Sequence, residues 1–388
     1  MKSKKNILII SPFFYPEPIS TGKFNTDFAV GLKDLGHNVK ILCYHPLYPT
    51  WKIKKTTSKI NNIEIIRGGK FLWFSKKPFL RRFILELSYA FFILRKIKSS
   101  QKNIDIIIPV FPPSLAFFSI IPFLRKNIQK VGMVHDLQEF YSEEKKGFIF
   151  KILQTIIHRT EKKCYNSCNK LIFLSNEMRN ESENIYGLKN TKLEVQYPFI
   201  TVKHHFTNDL EHIFDNTKRH IVYSGALGEK QNPEKLYDFF SKATLSIENS
   251  IFHFFSKGEE FNKLKLKNNN PNIFFHDLVK KENLEELYLK SDVQIIPQKK
   301  GTSKGSLPSK LPNLLASDCK VFLITDQNSE LEKLFKEYSL SFVATTWNNE
   351  TLIKNLKNLL NKKIDFEHQK KVARNIFTID KMIEKILH

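Results

Sequence analysis

The chain lacks any run of apolar residues that is long enough to cross a bilayer. Apolar runs such as residues 89–94 end at charged residues, far short of the roughly 18 consecutive apolar residues that a membrane-spanning helix needs. The basic start, residues 1–11, has too short an apolar segment and no small-residue cleavage site for a secretion signal. We therefore expect a cytoplasmic protein without a membrane span.

Cysteine is also scarce. The four cysteines, Cys43, Cys164, Cys168 and Cys319, are too few and too scattered for a disulfide framework in 388 residues. Cys164 and Cys168 would share a helix face, but no nearby histidine or second cysteine pair accompanies them. We expect two buried helical thiols there and no metal site.

Acidic residues are under-represented: 39 Asp and Glu stand against 62 Lys and Arg, for a net charge of +23. The excess is concentrated in residues 1–200, which hold 33 of the basic residues and only 15 of the acidic ones. A half this basic is suited to an anionic partner such as nucleic acid, an acidic lipid or a phosphorylated ligand. The length predicts about two domains, and 41% hydrophobic with 26% charged residues excludes wholesale disorder and a coiled coil.

The first 45 residues change hydrophobic period as a strand, a helix and a second strand would. Residues 7–11 form a continuous apolar run typical of a strand buried on both faces. A proline-rich loop, an amphipathic helix from Ser20 to Gly36 and a strand at 39–44 follow. This βαβ opening predicts a parallel, doubly wound sheet with ligands at the carboxyl ends of its strands. Further strands are predicted at 63–67, 104–110, 131–135 and 170–175.

The same pattern restarts after a linker predicted near residues 198–216. A strand at 220–224 leads into the turn Gly225-Ala226-Leu227-Gly228, and a helix follows from about Pro233. Strands at 251–255, 272–276, 293–297 and 320–324 are predicted to alternate with helices near 284–290 and 309–316. The expected fold class is therefore α/β, with two doubly wound parallel-sheet domains facing a cleft.

Two segments of the second half are suited to holding a phosphate. Gly225 and Gly228 lie between a strand and a helix, where backbone N–H groups bind anions, although such turns also use glycine for its positive φ alone. Residues 299–310 place four lysines among hydroxyls and glycines, and a solvated loop is an equally good interpretation of that composition. The sequence has no G-x-G-x-x-G, and residues 20–23 lack the spacing of a P-loop, which excludes a typical NAD site and an NTPase.

His135 and Asp136 end a predicted strand at the ligand-binding edge of the first domain. There they are suited to bind or polarise a substrate, with a simple strand-end turn as the alternative. No Ser-His-Asp spacing, nucleophile elbow or pair of carboxylates placed for hydrolysis is visible.

A basic and aromatic segment spans residues 70–98, with eight cations and one acid, Glu86. Its apolar residues recur at helical spacing: Phe79, Phe83, Leu87, Ala90 and Leu94. Such a helix can lie on an anionic membrane surface, where each cation contributes about 1 kcal/mol. The alternative is that this stripe belongs to the core and the cations form its wet face. We predict membrane docking through Trp73, Lys76, Lys77, Arg81 and Arg82, and no nucleic-acid partner, because no binding motif for one appears.

Taken in order, short segments over nearly the whole chain resemble the family 4 glycosyltransferases, specifically the branch that builds O-antigen, capsule and colanic acid. In the first half the matching segments are residues 11–18, Gly22, 35–39, 48–49, 111–115, 135–137 and 174–178. In the second half they are residues 223–228, 287–293, 308–311 and 315–317. Each segment is loose, but the ordered set is specific.

The resemblance implies a GT-B fold with two Rossmann-like domains: an acceptor and membrane-facing domain at 1–200 and a nucleotide-sugar donor domain at 201–365. A C-terminal helix at 366–388 would return toward the first domain. The resemblance also implies transfer with retention of configuration, without a metal or cofactor. The leaving diphosphate then helps to deprotonate the acceptor, and protein groups stabilise its growing charge.

The resemblance also assigns roles to individual residues. The catalytic residues would be His135, Lys230 and Lys310. The acceptor side would involve Glu17 and Asp136. The donor would be bound by Gly22, Gly225, Gly228, Lys304, Ser309 and Asn313.

Two positions depart from the family pattern. Where the family usually has a pair of glutamates, this chain has Lys304 or Gly305, and Asn313. Asn313 can still bond a ribose hydroxyl, whereas Lys304 reverses the charge, so we expect a donor sugar that carries a carboxylate. The basic residue expected directly after the glycine turn is also shifted, since Glu229 precedes Lys230.

The sequence therefore predicts a retaining glycosyltransferase that acts at the inner face of the plasma membrane. Its donor would be a nucleotide-diphosphate sugar, by family habit a UDP-sugar, and its acceptor a lipid-linked sugar or polysaccharide. Two rivals remain: a nucleotide-sugar 2-epimerase of the same fold, and a non-catalytic polyanion-binding protein derived from a transferase, whose binding would depend strongly on salt.

Overall fold

The computed structural model describes residues 4–48, 50–75, 77–137, 148–188, 191–202, 208–302 and 307–388. Two predicted site residues, Lys76 and Lys304, lie outside these ranges. The chain divides into two compact units, Met1–Tyr197 with Ile379–His388, and Pro198–Thr378.

The first unit is built on a seven-stranded parallel sheet with the strand order β3-β2-β1-β4-β5-β6-β7. The chain moves outward from β1 in one direction and from β4 in the other. Each predicted strand of this half is confirmed within two residues at either end. The strands are β1 (Asn6–Ile10), β2 (Asn38–Tyr44), β3 (Glu64–Gly68), β4 (Ile106–Phe111), β5 (Gln129–Val134), β6 (Lys170–Phe173) and β7 (Lys192–Val195).

Helices lie between most of these strands, although none separates β2 from β3 in the described residues. The helices are α1 (Ser20–Asp34), α2 (Pro78–Ser100), α3 (Leu115–Ile120), α4 (Phe148–Asn166) and α5 (Asn176–Tyr186). The central strands β1 and β4 are buried on both faces, as their continuous apolar sequence predicts. Cys164 and Cys168 are both buried, as expected, but only Cys164 lies in a helix, since α4 ends two residues before Cys168.

The second unit has a six-stranded parallel sheet with the order β10-β9-β8-β11-β12-β13. Its strands are β8 (Arg219–Ser224), β9 (Ser250–Phe255), β10 (Ile273–His276), β11 (Val293–Pro297), β12 (Lys320–Ile324) and β13 (Phe342–Ala344). Its helices are α6 (Pro233–Thr244), α7 (Glu259–Lys267), α8 (Leu284–Leu289), α9 (Leu311–Leu315), α10 (Glu330–Glu337), α11 (Asn349–Asn361) and α12 (Phe366–Ile376).

The last helix, α13 (Ile379–Leu387), belongs to the first unit. Ile379 and Ile383 pack so closely on Gly31 of α1 that a Cβ there would lie 2.7 Å from the Ile379 Cδ1 atom. The chain thus returns to the first unit at Ile379, whereas the sequence placed the return at residue 366. Among the described helices, none combines the length and the apolar character needed to cross a membrane.

Candidate active site

The turn after β8 takes its shape from a glycine and a tyrosine. Gly225 has a φ of 131°, which strongly favours glycine, and its N–H donates to the carbonyl oxygen of Phe255 at 3.0 Å. The hydroxyl of Tyr223 donates to the carbonyl oxygen of Ala226 at 2.6 Å. Gly225 is therefore required by the backbone, and its missing side chain leaves the end of β8 open.

Gly228, at the other end of this turn, has a different role. Its φ of −129° suits any residue, and its N–H donates to Oε1 of Gln231 at 3.0 Å. This N–H is therefore already satisfied within the turn. The structure does not place Gly228 among the residues that line the neighbouring cavity.

A cavity of about 230 Å³ lies at the carboxyl ends of β8 and β11. The chain leaves β8 toward β9 and leaves β11 toward β12, on opposite sides, so this is the switch point where open α/β sheets bind ligands. The cavity brings together several predicted residues, Gly225, Lys230, Ser309 and Lys310. The described lining residues are Tyr223, Ser224, Gly225, Ala226, Lys230, Gln231, Ile296, Pro297, Gln298, Thr302, Pro308, Ser309 and Lys310.

Lys310 joins the two central strands at this cavity. Its Nζ donates to the carbonyl oxygens of Ser224 (2.9 Å) and Ile295 (2.8 Å) and lies 4.5 Å from the ring centroid of Tyr223. Burial lowers the pKa of Lys310 to about 7. Its charge is therefore sensitive to pH near neutrality, and a bound anion would favour the charged form.

Lys230 lies in a short helical turn that is tied to the loop after β11. Its carbonyl oxygen accepts the N–H of Lys299 at 2.8 Å, and Glu229 pairs with the Lys299 ammonium at 2.6 Å. The hydroxyl of Thr302 donates to the carbonyl oxygen of Lys299 at 2.7 Å. Glu229 is thus engaged by Lys299, and Lys230 is the basic residue of this turn that lines the cavity.

Asn313 is placed away from the cavity lining. Its side chain is buried, and its Oδ1 accepts the N–H groups of Thr201 (2.7 Å) and Val202 (3.1 Å). Its Nδ2 donates to Oγ1 of Thr201 at 3.1 Å. Asn313, which was predicted to bond the donor ribose, is instead held by the backbone at the start of the second unit. These partners lie far away in sequence, so residue spacing does not reveal them.

His135 follows β5 at the carboxyl edge of the first sheet. Its N–H donates to the carbonyl oxygen of Phe111 at 2.9 Å, and the ring of Phe24 meets the imidazole edge-on at 4.6 Å. Among the described residues Nε2 has no hydrogen-bond partner although it is buried, and burial lowers the pKa of His135 to about 3. The imidazole is therefore neutral at physiological pH. Asp136, beside it, accepts the N–H of Leu137 at 3.1 Å.

Glu17 and Gly22 form a local structural pair in the first unit. The buried carboxylate of Glu17 accepts the N–H groups of Leu47 (2.8 Å) and Tyr48 (2.9 Å), and burial raises its pKa. A Cβ at position 22 would lie 2.9 Å from Cβ and 3.0 Å from the carbonyl oxygen of Glu17. Glu17 therefore holds the loop after β2, and Gly22 permits the close approach of α1.

Helix α2 exposes an apolar face that differs from the predicted stripe. Its core side is formed by Leu85, Tyr89, Ile93 and Ile97, and Ala90 of the predicted stripe is buried with them. Five large apolar residues with exposed fractions between 38% and 59% lie on the outer side, namely Leu80, Phe83, Leu87, Phe91 and Leu94. The alternative interpretation, in which the whole predicted stripe of α2 belongs to the core, is therefore wrong.

The predicted membrane-facing residues lie around this helix with different environments. Trp73 is 75% exposed and pairs with Lys52 in an isolated β-bridge. Lys77 and Arg82 are exposed, whereas the guanidinium of Arg81 lies 4.2 Å from the ring centroid of Trp51. Arg81 thus makes a cation–π contact with Trp51 in addition to carrying positive charge.

Two family models match consecutive parts of the chain. The model described as Glycosyltransferase Family 4 matches residues 21–204, and the one described as Glycosyl transferases group 1 matches residues 207–377. The chain belongs to the family 4 glycosyltransferases. The boundary between the matches falls close to the boundary between the two compact units.

Individual relatives of this glycosyltransferase agree with that assignment. A protein of Escherichia coli (strain K12) described as a colanic acid biosynthesis glycosyl transferase, WcaI, is 22% identical over 356 residues, which is 86% of each chain. The sucrose-phosphate synthase of Thermosynechococcus elongatus has a similar structure (TM-score 0.74, 11% identity, 99% and 98% of the chains covered). So does WaaG, a glycosyltransferase involved in lipopolysaccharide biosynthesis (TM-score 0.72, 12% identity, 98% and 99% covered). The fold is therefore GT-B, as the resemblance implied.

The transferase cavity also contains residues that the sequence did not single out. Tyr223 closes the glycine turn, and Gln298 follows β11 directly, with its Oε1 accepting from Thr325 at 2.6 Å. The position of Gln298 immediately after a central strand is a usable signal, since ligands gather at such ends. Nowhere in the described part of the transferase do three or more His, Cys, Asp or Glu side chains gather in a way that would hold a metal ion.

Proposed function

We propose that this glycosyltransferase moves a sugar from a nucleotide-diphosphate donor, by preference a UDP-sugar, to a lipid-linked or polysaccharide acceptor. The observation that carries the donor assignment is the cavity at the switch point of the second unit. Lys230 and Lys310 are both cations, and no acidic residue is among the described lining residues. A diphosphate matches that charge balance.

The proposed chemistry is retaining transfer assisted by the leaving group. The bond between C1 of the donor sugar and the diphosphate oxygen breaks, and a bond forms between C1 and the acceptor oxygen. The proton of the acceptor hydroxyl passes to the leaving diphosphate. Lys310 and Lys230 would stabilise the negative charge that grows on this diphosphate, and Lys310 would gain charge as the anion binds, because burial alone lowers its pKa to about 7.

His135 is proposed to contact the donor sugar as a neutral imidazole. Its Nε2 has no hydrogen-bond partner in the part of the chain that the structure describes, and its low pKa keeps it uncharged. Such a group donates or accepts one hydrogen bond without adding a positive charge. That property suits the orientation of a sugar hydroxyl better than the stabilisation of a diphosphate.

The proposed site of action is the cytoplasmic face of the membrane. Five exposed apolar residues on α2 lie beside Trp73, Lys77 and Arg82, and exposed apolar area next to cations favours an anionic lipid surface. A role in cell-surface polysaccharide biosynthesis is supported by the names of two similar proteins, one for colanic acid and one for lipopolysaccharide.

The deciding experiment is a thermal-shift panel of UDP, GDP, CMP and dTDP on the full chain. A nucleotide that binds the folded state raises its stability in proportion to the logarithm of ligand concentration over Kd. We expect one nucleotide to give a clear shift and Lys230→Gln to remove at least part of it. The matched control is Lys235→Gln on the exposed side of α6, which should keep the full shift. No shift with any nucleotide would contradict the proposal.

A further inference from the structure

Gln298 lines the cavity of the second unit, yet the chemistry above gives it no role. It follows β11 directly, and the residue is 7% exposed. Its backbone is held on both sides: the N–H donates to the carbonyl oxygen of Ile324 at 2.8 Å, and the carbonyl oxygen accepts the indole N–H of Trp347 at 3.0 Å. The base of this side chain is therefore fixed at the end of a central strand.

A line of hydroxyl groups orients the amide of Gln298. Oγ of Ser329 accepts the N–H of Glu332 at 3.2 Å, so its own proton is available for Oγ1 of Thr325 at 3.1 Å. The hydroxyl of Thr325 then donates to Oε1 of Gln298 at 2.6 Å. Each hydroxyl in this line accepts on one side and donates on the other. Oε1 of Gln298 therefore faces Thr325, and Nε2 faces away from it.

The Nε2 atom of Gln298 is a hydrogen-bond donor that no protein group uses in the described part of the chain. It is also not among the unpartnered polar side-chain atoms that are closed off from solvent there. The acceptor of this amide is thus satisfied while its two N–H protons are not. A ligand in the cavity that accepts hydrogen bonds would complete the set.

The class of ligand follows from what this amide can offer. A sugar hydroxyl donates as well as accepts, but the acceptor atom of Gln298 is turned toward Thr325. A deprotonated phosphate oxygen only accepts, so a group that only donates is its direct complement. Lys230 and Lys310, which line the same cavity, favour the same negative charge. The amide is therefore matched to a phosphate oxygen better than to a sugar hydroxyl.

We propose that Nε2 of Gln298 donates a hydrogen bond to an oxygen of the donor diphosphate, with Thr325 as the positioning residue that aims the amide. The inference rests on the proposed function, since it names a further residue for the diphosphate. Gln298 carries no charge, so its contribution differs in kind from that of Lys230 and Lys310. The lysines attract the diphosphate, and Gln298 orients it at the end of β11.

The test is isothermal titration of the full chain with UDP, and with inorganic diphosphate as a probe that has no base. Gln298→Met removes the donor from a side chain of similar length and should lower the affinity for both probes about tenfold. Gln298→Glu places a carboxylate where the donor was and should lower the affinity further, because like charges repel. The thermal midpoint of each variant without ligand separates a lost contact from a lost fold. An unchanged affinity in Gln298→Met would overturn the proposal.

The role of Thr325 is tested through a residue that does not itself line the cavity. Thr325→Val removes the hydroxyl that orients the amide and should lower the affinity for UDP severalfold. Thr325→Ser keeps a hydroxyl at this position and should keep the wild-type affinity. If Thr325→Val binds UDP as well as the wild type does, the positioning role is wrong.

The matched control is Gln327, an exposed residue of the loop after β12 that is not part of the cavity lining. Gln327→Met and Gln327→Glu make the same chemical changes as the two variants of Gln298 and should leave both affinities unchanged. A loss in Gln327→Glu as large as that in Gln298→Glu would show a general charge effect and contradict the proposal.

The outcome is distinguishable from that of the donor assignment. If UDP binds the wild type and Gln298→Met equally well, the role of Gln298 fails and the proposed transferase chemistry stands. If inorganic diphosphate binds in a way that depends on Gln298 but no nucleotide binds, the role of Gln298 stands and the nucleotide assignment fails. If neither probe binds the wild type, both proposals are overturned.

Discussion

The hydroxyl of Tyr223 donates to the carbonyl oxygen of Ala226 at 2.6 Å, so that a side chain of β8 closes the turn that β8 enters. This contact holds Gly225 at a φ of 131°, while Gly228 three residues later keeps an ordinary negative φ. The two glycines look equivalent in sequence, but only Gly225 has a backbone conformation that favours glycine.

Gly225→Ala is expected to be costly and Gly228→Ala mild. Alanine at position 225 must adopt a backbone conformation that L-residues avoid, at about 1 to 2 kcal/mol of stability. Alanine at position 228 would place its Cβ 3.5 Å from Oε1 of Gln231, an ordinary contact, so the change should be within about 0.5 kcal/mol. Urea unfolding gives both values, and the nucleotide shift should persist in Gly228→Ala. Equal costs for the two variants would show that the turn is not held in this shape.

Lys310 should make nucleotide affinity depend on pH. Because the pKa of Lys310 is about 7 in the folded protein, the ammonium loses its charge as the pH rises above that value. Affinity for the nucleoside diphosphate should then fall, approaching about tenfold per pH unit between pH 7.5 and 9. Isothermal titration across this range measures the effect.

Lys310→Arg is the matching control, because a guanidinium stays charged throughout this range. It should give a flatter profile even if its affinity is lower. The contribution of Lys310 to protein stability has the opposite pH dependence. Between pH 7 and 10.5, the pKa of this lysine in the unfolded chain, the unfolded chain binds a proton that the folded protein does not. The free energy of unfolding therefore rises with pH in this range. A wild-type affinity that is independent of pH would contradict the assignment of Lys310 to the anion.

The strands were predictable wherever the chain is buried on both faces. Residues 293–297 and 320–324 were located without error, because short, mainly apolar segments between polar residues have few other interpretations, although Gln294 interrupts the first. The edge strands β7 and β13 were missed. They are three or four residues long and mostly half-buried, so their sequences carry neither a long apolar run nor a clear alternation.

Site residues were predictable where the local backbone conformation requires a particular residue type. They were not predictable where a side chain hydrogen-bonds a segment far away in sequence. Gly225 follows from the local turn after β8, whereas Lys310 was assigned by the family resemblance, and its side chain reaches the carbonyl oxygen of Ser224, 86 residues away. Asn313 bonds a segment more than a hundred residues away, and Glu17 bonds a loop thirty residues away.

Acid should destabilise the second unit through a chain of three histidines. Nδ1 of His220 lies 2.9 Å from Nε2 of His253, whose Nδ1 lies 3.0 Å from Nε2 of His276. Nε2 of His220 faces the carbonyl oxygen of Asp215 at 2.9 Å, which can only accept. All three contacts are satisfied when each Nε2 donates and the Nδ1 atoms of His220 and His253 accept. Burial lowers the pKa of His253 well below its usual value and that of His276 to about 4.

The unfolded chain therefore binds more protons than the folded one below about pH 6.5, and stability falls as the pH falls. For His253 alone the loss between pH 7.5 and 5 is about 2 kcal/mol. Urea unfolding at the two pH values measures it, and His253→Gln should reduce the pH dependence by that amount. The matched control is His368→Gln, at an exposed position of α12. A wild-type stability that is the same at both pH values would contradict this account.

The outer face of α2 should attach the protein to anionic vesicles. Phe83 and Leu87 are 45% and 46% exposed, so replacing both by serine removes apolar area from the surface without opening the core. Their transfer into a lipid interface is worth about 2 kcal/mol together, which predicts a loss of roughly thirtyfold in affinity for phosphatidylglycerol vesicles by sedimentation. Raising the salt concentration should weaken the wild type further, because the flanking cations are screened.

The control for this surface is a pair of exposed apolar residues in the second unit. Leu245 and Leu266 are 87% and 88% exposed, more than the residues on α2, yet they lie far from the basic segment in sequence and belong to the other compact unit. Leu245→Ser with Leu266→Ser removes comparable side chains and should leave vesicle binding unchanged. If exposure alone determined vesicle binding, Leu245 and Leu266 would contribute more to it than Phe83 and Leu87. Equal losses in the two double variants would therefore mean that vesicles attract any exposed apolar residue. A loss confined to Phe83 and Leu87 would locate the vesicle contact on α2.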